Sequence, residues 1–126
     1  MAHQNSWNGK ILHRTFTGSI SGRELLESNL SIQGDPRFDE LTHVINDFTK
    51  ISDFAVTNFE ISKIVAVDNA ASKSNPSLKI VIVATNHELL TWIYSYSDQM
   101  QDSLYECKIF DRLSSATDWA RNPPTS

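Results

Sequence analysis

Four polar residues in this 126-residue sequence could take part in chemistry, because each lies near the end of a predicted element. Asp47 and Asp53 bracket the loop predicted after one strand, where a carboxylate can accept a proton or hydrogen bonds. His87 lies in the first turn of a predicted helix, just beyond a strand, which is where open α/β sheets bind ligands. Thr57 begins another helix, and a phosphate on its hydroxyl would meet the positive helix end. These four residues form the candidate ligand or switch edge.

Each of these residues also has an ordinary structural role. Asp47 can bond loop N–H groups, His87 can be a solvated residue at a helix start, and Thr57 can be an unmodified cap. No second acidic residue stands at a helical or strand offset that would pair with Asp47 for acid–base work or metal binding. The other histidines show no metal-ligand spacing, namely His3, His13 and His43. The sequence therefore predicts a protein that is not an enzyme and uses no cofactor or metal.

Composition excludes several other classes of function. The net charge is −4, and the 11 basic residues are scattered singly, so we expect no nucleic-acid partner. No apolar run approaches the roughly 20 residues of a membrane-spanning helix, and the first ten residues lack the apolar centre of a signal peptide. The single cysteine, Cys107, cannot form an internal disulfide, which favours a cytoplasmic location.

The predicted fold is organised around the strand Leu78–Ala84. This segment is apolar apart from Lys79 and rich in β-branched residues, so we expect it to be buried on both faces. Strands with two covered faces are typical of parallel sheets flanked by helices. The predicted class is therefore α/β, with a mixed, mainly parallel sheet.

Turn and capping signals place the other elements around that strand. Asn8-Gly9 predicts a hairpin, and polar caps precede apolar helical patterns. The expected order is β-β-α-β-α-β-α-β-α in one domain over residues 1–121, with a tail over residues 122–126. After a short first strand, the predicted elements are a strand at Ile11–Thr17, a helix from Ser21 to about Gly34, a strand at Leu41–Phe48, a helix from Thr57 to the low seventies, the strand Leu78–Ala84, a helix from Thr85 or Asn86 to about Met100, a strand at Tyr105–Phe110 and a helix capped by Ser114.

The helix after Asn86 has an unusually wide apolar face. Its apolar and aromatic residues cover an arc of about 200°, whereas a surface helix needs only about 100° to meet its core. A crowded core, a second subunit or an apolar ligand pocket would each explain the excess. Tyr and Trp are enriched at interface centres, which favours self-association as a homodimer. The candidate interface or pocket residues are Leu90, Trp92, Tyr94 and Tyr96.

Four stretches together resemble the SpoIIAA-like domains, which are related to the STAS fold. They are Gly18–Leu25, Asp35–Asp39, Asn46-Asp47-Phe48, and Phe110 followed by Ala116 and Trp119. The resemblance implies a mixed sheet covered by helices and a non-enzymatic role. In anti-sigma-factor antagonists such a domain binds partners under the control of phosphorylation, and some relatives resemble the CRAL-TRIO lipid-binding fold.

The sequence departs from the antagonist pattern at the phosphorylated motif. Antagonist domains carry Asp-Ser-Ser or Asp-Ser-Thr before the helix that follows the second main strand, whereas this chain has Ser52-Asp53-Phe54-Ala55. Thr57 is the nearest hydroxyl at a helix start. The predicted function is a non-catalytic interaction or regulatory domain, and the alternative is a carrier or sensor that holds a small apolar ligand or lipid between sheet and helices.

Overall fold

The computed structural model describes residues 2–101 and 103–121. The predicted tail at 122–126 lies outside the described residues. These residues form five strands and four α-helices, which alternate after an initial pair of strands, and a short 3-10 turn at Phe38–Glu40 precedes the third strand. The elements are β1 (Ala2–Asn8), β2 (Ile11–Ser21), α1 (Gly22–Gln33), β3 (His43–Ala55), α2 (Asn58–Ser72), β4 (Lys79–Val83), α3 (His87–Gln99), β5 (Glu106–Phe110) and α4 (Leu113–Arg121).

The strands form one sheet in the order β1-β2-β3-β4-β5. β1 pairs with β2 in the antiparallel sense, and β2 to β5 are parallel. Successive right-handed crossovers in one direction place α1, α2 and α3 on the same face of the sheet. The mixed, mainly parallel α/β architecture predicted from the sequence is therefore confirmed, as is the element order.

The two faces of the sheet carry separate hydrophobic clusters. On the side of α1, α2 and α3, strand residues such as Leu12 and Ile82 pack against helix residues such as Ile64 and Ile93. On the other side α4 covers a smaller cluster, which comprises Ile45, Val81, Val83, Ala116 and Ala120. β4 contributes to both clusters, so the prediction that this strand is covered on both faces is confirmed.

The prediction that β3 ends at Phe48 is wrong, because the strand continues to Ala55. Thr15 pairs with Asp47 and Thr17 with Lys50, so β3 carries one residue more than β2 at this point. This bulge accommodates the extra residue in β3, and the pairing with β2 resumes after it. Asp47 and Asp53 therefore lie inside β3 and do not bracket a loop.

The other boundary corrections have local causes. β2 runs past the predicted end at Thr17 to Ser21, and Gly18 (φ 75°) occupies the left-handed region beside a second register shift. Asn86 caps α3, since its side chain accepts a hydrogen bond from the Leu89 N–H, and Thr85 does not cap it. α4 begins at Leu113, so Ser114 lies within the helix.

Candidate functional site

The two aspartates of the candidate edge form local hydrogen bonds on β3. The Asp47 side chain is buried, and its Oδ1 accepts from the backbone N–H and the hydroxyl of Thr49 at 2.9 and 2.7 Å. Asp53 is exposed, and its Oδ1 accepts from the Phe54 N–H at 2.8 Å. Asp47 thus provides an acceptor for the Thr49 N–H in the bulge, which explains why an acidic side chain is buried there.

Thr57 and His87 lie at the starts of two neighbouring helices. Thr57 caps α2 through a reciprocal pair of hydrogen bonds with Glu60. The Thr57 Oγ1 accepts from the Glu60 N–H at 3.1 Å, and the Glu60 Oε1 accepts from the Thr57 N–H at 2.9 Å. His87 is the first residue of α3, and its side chain is exposed. The structure thus gives Thr57 a capping role and leaves the His87 ring at the surface.

The four candidate residues of α3 separate into two groups. Tyr94 projects into solvent with 60% of its surface exposed, and Leu90 is half-buried against the core. Trp92 and Tyr96 line a cavity between the sheet and the helices. Trp92 also lies beside Phe54 of β3, with ring centroids 6.2 Å apart. The wide apolar face therefore serves both the interior and the outer surface of the helix layer.

A buried guanidinium lies at the centre of the same layer. Arg14 of β2 is a charged residue but is only 2% exposed. It is buried because it lies with Leu12 and Phe16 on the core-facing side of the strand. Its Nη1 donates to Asn29 Oδ1 at 2.8 Å and to Asn46 Oδ1 at 3.1 Å, and its Nη2 donates to the Ser28 hydroxyl. All three acceptors are neutral side chains, so the positive charge has no carboxylate among them.

Asp68 of α2 supplies the nearest buried negative charge of this network. Its Oδ1 accepts from Gln33 Nε2 at 2.8 Å, and its Oδ2 accepts from the Tyr96 hydroxyl at 2.6 Å. The Asn29 Nδ2 also donates to Asp68, at 3.2 Å to Oδ1. Asn29 therefore connects Asp68 to Arg14, because it accepts from the guanidinium and donates to the carboxylate.

Burial shifts the pKa values of this network toward the neutral forms. Desolvation lowers the pKa of Arg14 to about 10, against the opposing charge of Asp68, so the guanidinium stays charged at neutral pH. Desolvation raises the pKa of the Asp68 carboxyl, and the hydrogen bonds from Tyr96 and Gln33 oppose that rise. Burial, followed by the Asp68 charge, raises the pKa of the Tyr96 hydroxyl well above its usual range.

The network borders a cavity of about 80 Å³ between the sheet and α1, α2 and α3. Most of its lining is apolar and comes from all three helices and from the strands. Two polar atoms among the lining residues are buried and have no hydrogen-bond partner within the described part of the chain: Arg14 Nε and the Tyr105 hydroxyl. Buried donors without acceptors are rare in native proteins.

Sequence reasoning missed this network, and one signal could have found it. Arg14 occupies a core-facing position of an alternating strand, and Asp68 and Tyr96 follow the spacing of the buried residues of α2 and α3. A polar residue at a core position needs partners, so such breaks in the apolar pattern mark buried polar sites. The network is assembled from β2, α1, β3, α2 and α3, which the sequence does not bring together.

The structure gives two further results for the described residues. No group of three or more His, Cys, Asp or Glu residues that could hold a metal ion occurs within residues 2–101 and 103–121. In that same part of the chain, no helix is both long enough and apolar enough to cross a membrane.

Comparisons with solved structures identify the class of fold. The chain is similar to the anti-sigma factor antagonist SpoIIAA in its unphosphorylated form, with a TM-score of 0.62, 10% identity, and coverage of 95% of this chain and 98% of that chain. It is also similar to an uncharacterised protein of the DUF3478 family with a SpoIIAA-like fold from Shewanella loihica PV-4, with a TM-score of 0.58, 14% identity, and coverage of 94% and 92%. The sequence matches no protein-family model and no curated protein. The predicted SpoIIAA-like, STAS-related fold is therefore confirmed.

Proposed function

We propose that this protein is a non-catalytic regulatory domain that acts by binding proteins and that associates with a second copy of itself. The observation that carries the proposal is the outer surface of the helix layer. Each of its three helices leaves a large apolar side chain at least half exposed: Leu30 of α1 (50%), Phe59 of α2 (68%) and Tyr94 of α3 (60%). We call these three residues the outer helix surface. The fold of SpoIIAA, an anti-sigma factor antagonist, supports a regulatory role.

Within this surface, Tyr94 is the residue on which we base the homodimer. Tyrosine combines a large apolar ring with a polar hydroxyl, and it is enriched where protein surfaces bind each other. Leu90, one turn before Tyr94 on the same helix, is half-buried, whereas Trp92 lines the interior cavity. A negative charge at position 94 would oppose the burial of this surface in a dimer.

Sedimentation velocity tests the proposal on the full chain. The wild-type protein is expected to form a dimer in the micromolar range, and Tyr94→Glu is expected to shift it toward the monomer. Leu104→Glu is the matched control, because Leu104 is also apolar and 59% exposed but lies outside the three helices. A wild-type monomer at every concentration would remove the homodimer, and equal effects of the two variants would remove Tyr94 from its interface.

The alternative, a carrier or sensor that holds a small apolar ligand or a lipid, is less consistent with the interior. Binding pockets for such molecules commonly have volumes of about 300–1,000 Å³. The cavity between the sheet and the helices has a volume of about 80 Å³. Native mass spectrometry of the purified protein tests this alternative, since a co-purified lipid would favour the carrier over the interaction domain.

Two further predictions remain part of the proposal. Phosphate on Thr57 would make the start of α2 a switch, and mass spectrometry of protein from its native cells tests it together with Ser52. The second prediction is a cytoplasmic location, which we infer from the presence of a single cysteine, Cys107. Fractionation of the native cells tests it.

A further inference from the structure

We propose that an open cleft on the side of the sheet covered by α4 binds a small phosphate monoester, such as a sugar phosphate. The cleft has a volume of about 530 Å³ and lies where β2, β3 and β4 begin and α4 ends. Three basic side chains line it, and we call it the basic cleft after them: Lys10, Lys79 and Arg121. It is separate from the outer helix surface, which lies on the other side of the sheet.

The fold brings these three cations together from distant parts of the chain. Lys10 ends the turn between β1 and β2, Lys79 begins β4, and Arg121 ends α4. Ile11 pairs with His43, which in turn pairs with Lys79, so the two lysines lie at the same end of three adjacent strands. Two strand spacings separate the outer backbones of this row by about 10 Å. The long lysine side chains can therefore reach one anion from both sides, while Arg121 approaches it from α4.

The basic cleft contains little opposing charge. No carboxylate lines it among the residues that the structure describes. Neither Lys10 nor Arg121 forms an ion pair within that part of the chain, and Lys79 lies 3.8 Å from Glu106, which is outside the cleft. This positive charge occurs in a chain whose net charge is −4. The cleft is therefore a local positive region that attracts anions.

The balance of charge favours a dianion over a monoanion. Glu106 offsets one of the three cations, and the carboxyl end of α4 contributes roughly half a negative charge. Burial, followed by the Lys79 charge, lowers the pKa of the His43 ring against the opposing effect of Glu106, so this ring adds no charge at neutral pH. A phosphate monoester carries about −1.5 to −2 near pH 7, which matches the positive charge that remains.

The rest of the basic cleft suits a polar organic group. Asn8 and Ser77 line it with exposed side chains, whose amide and hydroxyl groups can form hydrogen bonds with the hydroxyls of a sugar. Ile11 and Ala120 add a small apolar surface. The volume of about 530 Å³ lies within the usual range of about 300–1,000 Å³ for small-molecule sites. The cleft therefore has room for a sugar ring beside the phosphate.

An NMR titration of the ¹⁵N-labelled full chain tests the basic cleft, with glucose 6-phosphate as the probe. It is done at constant ionic strength and at about pH 7.5, where the phosphate is mainly a dianion. We expect saturable shifts of the amide signals of Lys10, Thr42 and Lys79, which line the cleft. Glucose 6-sulfate has the same sugar but a single negative charge, so it is expected to bind roughly tenfold more weakly. Glucose is uncharged and is expected to produce no saturable shifts.

Three variants locate the binding within the molecule. Lys10→Gln and Arg121→Gln each remove a cation from an exposed side chain, and each is expected to raise the Kd for glucose 6-phosphate roughly tenfold. Both variants are expected to fold like the wild type, because surface substitutions have small effects on stability. Lys108→Gln is the matched control, because Lys108 is exposed and lies beside Trp119 on the same side of the sheet but does not line the cleft. Its Kd is expected to change less than about twofold, because salt screens a charge outside the cleft.

Four results would overturn the proposal. Glucose 6-phosphate could fail to saturate the wild-type protein, which would remove the site. The phosphate and sulfate esters could bind equally, which would contradict the match of charge. Lys108→Gln could weaken binding as much as Lys10→Gln, which would reduce the interaction to a general attraction. Inorganic phosphate or a phosphoserine peptide could bind more tightly than glucose 6-phosphate, which would exclude a small ester as the ligand.

Discussion

The two faces of the sheet are packed in opposite ways. The face under α1, α2 and α3 contains a buried arginine, a buried aspartate, their amide and hydroxyl partners and a cavity of about 80 Å³. The face under α4 has a smaller cluster of isoleucine, valine and two buried alanines, Ala116 and Ala120, and its buried polar side chains, His43 and Asp47, lie on β3 outside that cluster. We refer to them as the polar face and the α4 face.

The difference shows that the polar face is not explained by stability alone. An apolar cluster of the kind on the α4 face would stabilise the fold without burying charges, and replacing buried ion pairs by apolar residues is often neutral or stabilising. The chain nevertheless places Arg14, Asn29 and Asp68 in its larger core. Such conditions are typical of functional sites.

The largest effect is expected when the polar network loses its carboxylate. Asp68→Ala leaves the buried guanidinium without its nearest negative charge and leaves the Tyr96 and Gln33 donors unpaired. We expect the free energy of unfolding to fall by about 3–5 kcal/mol. Urea denaturation measures this change.

Asp53→Ala is the control for that variant. Asp53 is exposed, and within the described part of the chain its side chain accepts a hydrogen bond from the neighbouring Phe54 N–H alone, so we expect a change within about 0.5 kcal/mol. A loss of less than 1 kcal/mol for Asp68→Ala would show that the network does not stabilise the polar face.

A second prediction compares added volume on the two faces. Ala116 is fully buried against the sheet, so Ala116→Leu is expected to cost about 1–3 kcal/mol through overpacking. Leu25→Phe adds its atoms beside the cavity and is expected to cost less than about 1 kcal/mol. Thermal unfolding of both variants measures the difference, and equal losses would mean that the polar face is as tightly packed as the α4 face.

A third prediction compares helix starts on the two faces. Thr57→Ala removes the capping box of α2 and is expected to cost about 1 kcal/mol. Ser114 lies within α4, so Ser114→Ala is expected to be neutral or slightly stabilising, because alanine is the better helix former. Chemical denaturation distinguishes the two, and a larger loss for Ser114→Ala would contradict the position of the α4 start.

The smallest and most specific effect is a change in pH dependence. Burial holds the pKa of Asp68 above its usual 3.8, so the folded protein binds a proton more readily than the unfolded chain. The stability that the protonated Asp68 contributes through this difference is present below pH 3.8. It is lost as the pH rises through the raised pKa of the folded state. The free energy of unfolding of the wild type minus that of Asp68→Asn should therefore fall from pH 3.8 toward neutrality. A difference that rises over the same range would show that Arg14 stabilises the carboxylate more than burial destabilises it.

Local sequence signals predicted most of the fold. The hairpin signal at Asn8-Gly9, whose two turn residues are Gly9 and Lys10 in the structure, the apolar run of β4 and the capping residues before the helices all act within a few residues. Their effects can therefore be read along the chain. The bulge at Asp47 and the continuation of β3 to Ala55 could not be predicted in this way. They depend on pairing with β2, and the exposed residues after Phe48 resemble a loop.

The candidate site was predicted less well for a related reason. The α3 face indicated that something lies against Trp92 and Tyr96, and both residues line the cavity. Arg14 read as one of many scattered basic residues, because its burial depends on Asn29 and Asn46 from other elements. The alternating pattern of β2 marks Arg14 as inward-facing, but only the assembled fold provides its partners.

A crystal structure of the full chain tests the central claim about the polar face most directly. The account predicts a guanidinium of Arg14 inside the helix layer, with its Nη1 within about 3.2 Å of the side-chain oxygens of Asn29 and Asn46. An Arg14 side chain turned outward into solvent would contradict it.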